Sequence, residues 1–225
     1  MTIAILTAMD KERVQIEHML ENTKEEHELF DYVIGTLGKN TVILSKCGIG
    51  KVNAAVGTTE IIRRYSPDAV ISTGCAGGID QCLNIMDVVV SDRTVHHDFF
   101  IGMGCEKGQI QGMPTFFPAD QRLIDAAKSL NDPTIHVGLI CTGDQFITSK
   151  TELERIKTDF PDGLAVDMES VAIAQTCFLF NVPFISFRVI SDVPGSDGHQ
   201  QQYESFWTDM AHKSFNTVKA FLSAI

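Results

Sequence analysis

Ala69-Val70-Ile71-Ser72-Thr73-Gly74-Cys75-Ala76-Gly77-Gly78 is the stretch on which the fold turns. Its first half is a short, almost wholly apolar run, as expected of a strand covered on both faces of its sheet. Small residues follow without a gap. They allow a backbone to come close to a flat or charged ligand with its amides free to donate. The same string also reads as a tight strand-to-loop turn. It is not the dinucleotide fingerprint G-x-G-x-x-G, and no G-x-x-x-x-G-K-[ST] occurs in the chain.

Toward the N-terminus, Ile3-Ala4-Ile5-Leu6 reads as an opening strand, followed by a polar, acid-rich helix from about Lys11 to Asn22. Phe30 to Leu37 and Asn40 to Ser45 read as a hairpin joined through Gly38-Lys39-Asn40. Gly48-Ile49-Gly50 opens a helix that continues to Tyr65, where Ser66-Pro67-Asp68 stops it. Toward the C-terminus, Val88 to Ser91 is another strand, and residues 99–118 form a long apolar flap punctuated by Gly102, Gly104, Gly108 and Gly112. A loop of that length is usually functional or disordered, and its apolar content argues against disorder. A helix then starts at Ala119-Asp120, a strand runs from Ile135 to Thr142 and a helix from Thr148 to Phe160. A buried helix is expected over 164–180, a strand over 184–191 and a closing amphipathic helix over 203–224. The alternation predicts one α/β domain spanning residues 1–225, a sheet between two layers of helices. In such folds ligands bind at the carboxyl ends of strands, where Thr73-Gly74, Thr142-Gly143 and Ser191-Asp192 all fall.

Composition narrows the partners. The chain has 225 residues, 44% hydrophobic and 21% charged, with a formal net charge of −11. That charge disfavours nucleic acid or an anionic membrane as the main partner, since either would need a basic face. The pair Arg63-Arg64 is accounted for by a helix end facing solvent. Cysteines stand at 47, 75, 82, 105, 141 and 177 with no CxxC, so they read as reduced thiols in a cytoplasmic protein. His96-His97-Asp98 is the only metal-like cluster, and neighbours on a strand point to opposite faces, so no metal site is expected. The first strand begins at Ile3, which leaves no room for a signal peptide, and no apolar run approaches the roughly 20 residues of a membrane span.

The chemistry-bearing residues are acids at the ends of apolar elements. Asp167 and Glu169 lie in Ala165-Val166-Asp167-Met168-Glu169-Ser170, within a stretch otherwise apolar as far as Phe180. A carboxylate in such company must be hydrogen-bonded, hold a ligand or carry a shifted pKa. An N-cap or a buried ion pair would account for them equally well. On a helix the two would point about 200° apart, so only one, Glu169 for preference, would face a given site. Asp192 follows the strand Val182 to Ser191 and reads either as an acid catalyst or as an N-cap. Glu12 sits in the charge run Asp10-Lys11-Glu12-Arg13, which taken alone is a solvated first helical turn. Phe146, in Thr142-Gly143-Asp144-Gln145-Phe146-Ile147, reads as core or as a ring that stacks on a ligand.

Taken together, six ordered blocks resemble the 5′-methylthioadenosine/S-adenosylhomocysteine nucleosidases of the nucleoside phosphorylase/hydrolase superfamily. They are Ala8-Met9-Asp10-Lys11-Glu12, Cys47-Gly48-Ile49-Gly50-Lys51-Val52, Thr73 to Gly78, Gly143-Asp144-Gln145-Phe146-Ile147, Ala165 to Glu169 and Val189-Ile190-Ser191-Asp192. The resemblance implies a three-layer α/β sandwich whose central sheet is mixed and twisted. It also implies hydrolysis of the bond between adenine N9 and ribose C1′. Glu12 then matches the base that activates water, and Asp192 the acid that protonates adenine N7, with Ser191 beside it. Glu169 matches the residue that grips the ribose hydroxyls and Met168 packs on the sugar. Phe146 stacks on adenine, Ile147 offers it backbone contacts, and Ile49, Cys75, Ala76 and Gly77 line the base and sugar region. A homodimer is implied, its flap near the neighbour's site, with neither metal nor organic cofactor. The chemistry is coherent: a purine anion leaves poorly, so one carboxylic acid must deliver a proton while the others stay ionised. Asp192, after a β-branched and aromatic strand, is placed to carry that proton.

Some positions depart from the family's pattern. Cys75 stands where Ser is common, Asp167 where Glu is common, and Tyr203 where Phe often closes the site. Met103 occupies a place where Phe often reaches in from the second subunit. These blur the preference for the 5′-substituent, so 6-amino-6-deoxyfutalosine and 5′-deoxyadenosine stay open as substrates. A purine nucleoside phosphorylase would need Arg or amides around its phosphate, yet the first loop offers Asp10 and Glu12, and Arg93 is the only obvious cation in a second candidate loop. A non-catalytic nucleoside-binding module would have lost one of the three acids. A dinucleotide-dependent oxidoreductase would need the glycine fingerprint where Thr7-Ala8-Met9-Asp10 stands.

Overall fold

In Thr2–Thr7 (β1), Ile3 and Ile5 enter one hydrophobic cluster while Ala4 and Leu6 enter another. Successive strand residues point to opposite faces, so a strand apolar on both must be covered on both. The computed structural model, which describes residues 1–193, 198–207 and 215–225, supplies that cover as two helical layers.

Beside β1 lie Asn40–Lys46 (β4) and Ala69–Gly78 (β5), both parallel to it. Asp31–Leu37 (β3) pairs antiparallel with β4, as the hairpin reading expected, and Glu21–His27 (β2) forms the outer edge. The acid-rich segment expected to be one helix is therefore Asp10–Glu17 (α1) followed by β2. An edge strand can carry the polar string Glu21 to His27 because one side meets water, and its charges discourage pairing with other chains. On the other flank, Phe184–Asp192 (β10) pairs parallel with β5 and antiparallel with Val88–His96 (β6). Ile135–Thr142 (β8) and Gly163–Asp167 (β9) complete the order, and β9 returns to pair antiparallel with Gly77 and Gly78 of β5. Five strands thus close on one another, while Phe117–Pro118 (β7) adds a short pairing to β6. The sheet is mixed, as expected.

Lys51–Tyr65 (α2) presents Ala54, Thr58, Ile61 and Ile62 to the cluster that also holds Val171, Ile173 and Cys177 of Ser170–Phe180 (α5). The opposite layer holds α1, Gln121–Lys128 (α3) and Asn216–Ala224 (α7), with Ile16, Leu123, Phe221 and Leu222 in its cluster. Asp120 caps α3 by accepting from the Arg122 and Leu123 amides. Lys150–Asp159 (α4) follows β8, and His199–Ser205 (α6) follows β10. The closing helix expected over 203–224 corresponds to parts of α6 and α7, with 208–214 outside the described residues.

Two further expectations are corrected. Residues 164–180 are not one helix, because 163–167 fill the slot between β8 and β5, and hydrogen bonding to both neighbours outweighs local helix preference. The glycine-rich segment after Thr73 is not a loop, since β5 continues through it to Gly78. Its lack of side chains serves close packing: a Cβ on Gly78 would press on Ile190 Cγ2 at 3.0 Å.

Candidate active site

The carboxyl ends of β1, β5, β8, β9 and β10 converge on a cavity of about 400 Å³. That is ample for a nucleoside-sized ligand. Its lining includes Glu12, Ile49, Cys75, Ala76, Gly77, Phe146, Ile147, Met168, Glu169, Ser191, Asp192 and Tyr203. Of the candidate residues read from the sequence, Met103 alone does not line it; it sits on the flap, 83% exposed. Ala8, Met9, Gln145, Val166 and Asp167 join the lining.

Glu12 is only 2% exposed, which overturns the surface reading of its charge run. α1 begins directly behind β1, and the turn between them folds the Glu12 carboxylate back under the amides of Ala8 and Met9, which donate to Oε2 at 2.9 Å each. The Cys75 amide donates to Oε1 at 3.0 Å. Burial pushes the Glu12 pKa up, while Arg188 and these three amides oppose the rise without cancelling it. Oε1 accepts a single bond from the protein, so an acceptor position remains for water.

Gly74 makes this approach possible. A Cβ there would overlap both Glu12 Oε1 and Arg188 Nη1. Gly74→Ala is expected to lower kcat/KM by roughly tenfold or more through displacement of Glu12. Steady-state kinetics beside a thermal melt would check this, and unchanged kinetics would show that the cluster can absorb a methyl group.

Asp167 ends β9 and Glu169 precedes α5, so the helical argument that only one could face the site does not hold. Both line the cavity. Asp167 is also committed to Arg188, whose Nε donates to its Oδ2 at 2.6 Å, and to Thr142 Oγ1, which donates to Oδ1 at 2.5 Å. Its buried ion-pair reading therefore holds. Glu169 Oε1 accepts from the Gly50 amide at 3.0 Å, and its Oε2 lies 3.8 Å from Arg188. Burial lifts the Glu169 pKa, Arg188 opposes, and Asp167 adds to the rise.

Arg188 is the residue that sequence reading passed over. It is 1% exposed, and its Nη2 also donates to Ser72 Oγ at 2.7 Å. Burial alone would lower its pKa, but Asp167, Glu169 and Glu12 together drive it upward, so it is a permanent cation. A signal was present: Arg188 is the only charge in Phe184 to Ser191, and a buried guanidinium needs carboxylate partners.

Asp192 ends β10 at 1% exposure beside Gly77, with a register irregularity after Ile190. The Ser191 hydroxyl donates to its Oδ1 at 2.5 Å. The segment it would cap, 194–197, lies outside the described residues. Phe146 is half-exposed, not core, and meets the Tyr203 ring edge-on at 5.6 Å. The Tyr203 hydroxyl reaches Met9 Sδ at 3.8 Å. Burial and the charge of Glu12 push the Cys75 thiol well up, which keeps it neutral.

Among the described residues the lining carries four carboxylates and no Lys, Arg or His. Arg188 lies behind it, engaged by Asp167. Arg93 is spent elsewhere, paired with Asp92 and Asp162 and stacked on Phe116. A cavity with this charge repels a phosphate and accepts water and a neutral or cationic ligand.

Comparison with known proteins agrees. The family model described as the Phosphorylase superfamily matches residues 2–223, and the chain belongs to that superfamily. Within it, the chain is 40% identical to a 5′-methylthioadenosine/S-adenosylhomocysteine nucleosidase from Anoxybacillus flavithermus, over 100% of this chain and 99% of the relative. The S-adenosylhomocysteine nucleosidase from Streptococcus pyogenes in complex with 5-methylthiotubericidin superposes with a TM-score of 0.95 at 33% identity, over 100% and 97% of the two chains. The 5′-methylthioadenosine/S-adenosylhomocysteine nucleosidase from Neisseria meningitidis in complex with methylthio-immucillin-A gives 0.94 at 35% identity, over 100% and 99%. The chain is a member of the nucleosidase branch that these relatives represent.

Proposed function

We propose that this protein hydrolyses the N-glycosidic bond of 5′-methylthioadenosine and S-adenosylhomocysteine, releasing adenine and the 5-thio-substituted ribose. The observation that carries the reading is one cavity holding two fully buried carboxylates, Glu12 from the first turn of α1 and Asp192 from the end of β10, with no cation among the described residues of its lining.

In this reading adenine stacks on Phe146, with Ile147 beside it. Asp192 protonates N7 as the C1′–N9 bond breaks, so the base departs neutral. The Ser191 hydroxyl engages Oδ1 and helps to orient the carboxyl group. The sugar becomes oxocarbenium-like, and the surrounding carboxylates favour that positive charge. Water held at the free position of Glu12 Oε1 gives its proton to Glu12 and its hydroxide to C1′. Glu169 grips the ribose hydroxyls over Met168, and Ile49, Cys75, Ala76, Gly77 and Tyr203 complete the walls.

The proposal includes a single domain that pairs as a homodimer in the cytoplasm. Phe100 and Met103 on the flap, Val52 on α2 and Phe178 on α5 are all exposed, and apolar side chains of that size favour a partner surface. Six unpaired cysteines suit a reducing compartment. Among the described residues no helix is long and apolar enough to cross a membrane.

The test is adenine release from 5′-methylthioadenosine with and without added phosphate. Release that ignores phosphate and yields free 5-methylthioribose is expected. A requirement for phosphate, with a sugar 1-phosphate as product, would overturn the hydrolytic role of Glu12.

A further inference from the structure

Phe146 is half-exposed and meets Tyr203 only edge-on, so the backbone of the loop from Gly143 to Ile147 does much to set where its ring stands. Two residues outside the cavity lining hold that loop. The Asp98 carboxylate bridges it: Oδ2 accepts from the Asp144 amide at 2.9 Å, and Oδ1 accepts from Lys51 Nζ at 2.6 Å. The Asp144 carboxylate then reaches across to α2, where Oδ1 accepts from the Lys51 amide at 2.7 Å and Oδ2 lies 3.7 Å from Lys51 Nζ.

Local sequence explains why a distant acid is used. The residue before α2 is Gly50, at φ 92°, with no side chain to satisfy the first amides of a 15-residue helix. Those amides attract an anion, and Asp144 supplies one from another loop. Gly50 also leaves room for it, since a Cβ there would sit 3.1 Å from Asp144 Oδ1. Behind the loop, the buried His97 ring packs against Gly143, where any Cβ would collide with it.

Ile49 on one side and Phe146 on the other are therefore tied through a three-membered clasp, Asp98–Lys51–Asp144. We propose that Asp98, outside the cavity lining, is a positioning residue for base recognition, acting through the clasp to hold Phe146 against the purine. This rests on the reading of Phe146 as the stacking residue. Lys51 and Asp98 side chains are 18% and 26% exposed, so the charges are partly screened, but their 2.6 Å contact and the amide bonds to Asp98 and Asp144 are charge-assisted hydrogen bonds within one network.

Asp98→Asn keeps one acceptor where the carboxylate has two, so it cannot serve the Asp144 amide and Lys51 Nζ together. With the charge gone, Lys51 is free to draw the Asp144 carboxylate off the helix end. The loop shifts while Glu12 and Asp192, on other elements, stay in place. Asp98→Asn is thus expected to raise KM and the adenine Kd roughly tenfold while kcat changes less than about threefold, the pattern of lost uniform binding.

A double-mutant cycle with Phe146→Ala, read by adenine titration calorimetry and by kinetics, tests the route. If Asp98 acts through the Phe146 ring, Asp98→Asn adds less than about twofold once that ring is gone. Losses that multiply, or a fall in kcat with KM unmoved, would overturn the proposal. If Phe146→Ala leaves adenine affinity unchanged, the stacking reading fails first, and the clasp proposal with it. Should Asp98→Asn not fold, Lys51→Met breaks the same clasp from the helix side and must give the same KM-weighted, non-additive loss.

Discussion

Asp192→Asn is expected to lower kcat by roughly 10²–10⁴-fold, the usual contribution of a positioned general acid. Asn keeps the size of the side chain and can still accept from the Ser191 hydroxyl, which now contacts Asp192 Oδ1. It cannot deliver a carboxylic proton to N7. Because a proton is deleted and the cavity is not, adenine affinity should stay within about threefold of the wild type. Single-turnover rates and adenine titration together separate the two effects. Turnover close to that of the wild type would end the assignment of Asp192 as the acid, and a collapse of adenine affinity would make it a binding group.

The second large effect is on stability. Arg188→Met is expected to cost roughly 3–5 kcal/mol, because it leaves buried carboxylates without their cation. Asp167 loses a 2.6 Å charge-assisted bond, and Glu169 and Glu12 lose the positive charge that restrains the rise of their pKa values. A carboxyl whose folded pKa is raised holds its proton more tightly in the folded state, so ionising it costs stability as pH rises through that pKa. Removing Arg188 raises these values further, and the deficit of the variant should therefore be smaller in mild acid than above neutrality. Urea midpoints measured on both sides of neutrality would check the sign. Arg188→Lys keeps the charge but not the fork that reaches Asp167 and Ser72 together, so it should fall between the two. An unchanged midpoint for Arg188→Met would mean that the carboxylates are carried by other groups.

Much of the framework was legible because it is written in short-range patterns. The hairpin of β3 and β4, the stop of α2 at Ser66 and the strand Ile135–Thr142 stand where periodicity, turn residues and caps put them. Asp120 caps α3 as an Asp ahead of a helix should. Where the reading failed, the deciding partner was remote. Residues 163–167 have an acceptable helical composition, and only the open slot between β8 and β5 makes them a strand. Glu21 and Asn22 read as the end of the polar helix from Lys11, yet they begin β2 because β3 offers an edge to pair with.

The site divides along the same line. The identity of its chemical groups was set by the sequence alone: three acids at the ends of apolar runs, an aromatic residue after Gly143, and six family blocks in order. Tertiary structure alone decided their state. Glu12 belongs to a charge run that would be solvated in isolation, and the Cys75 amide, 63 residues away, helps to bury it. Gly50 donates to Glu169 across 119 residues, and Arg188 meets Ser72 across 116. Local sequence can specify periodicity, caps and turns, because those energies arise between near neighbours. Desolvation of a charge, and hence its pKa and its partners, depends on which distant segments exclude water from it, and that is settled only when the sheet closes.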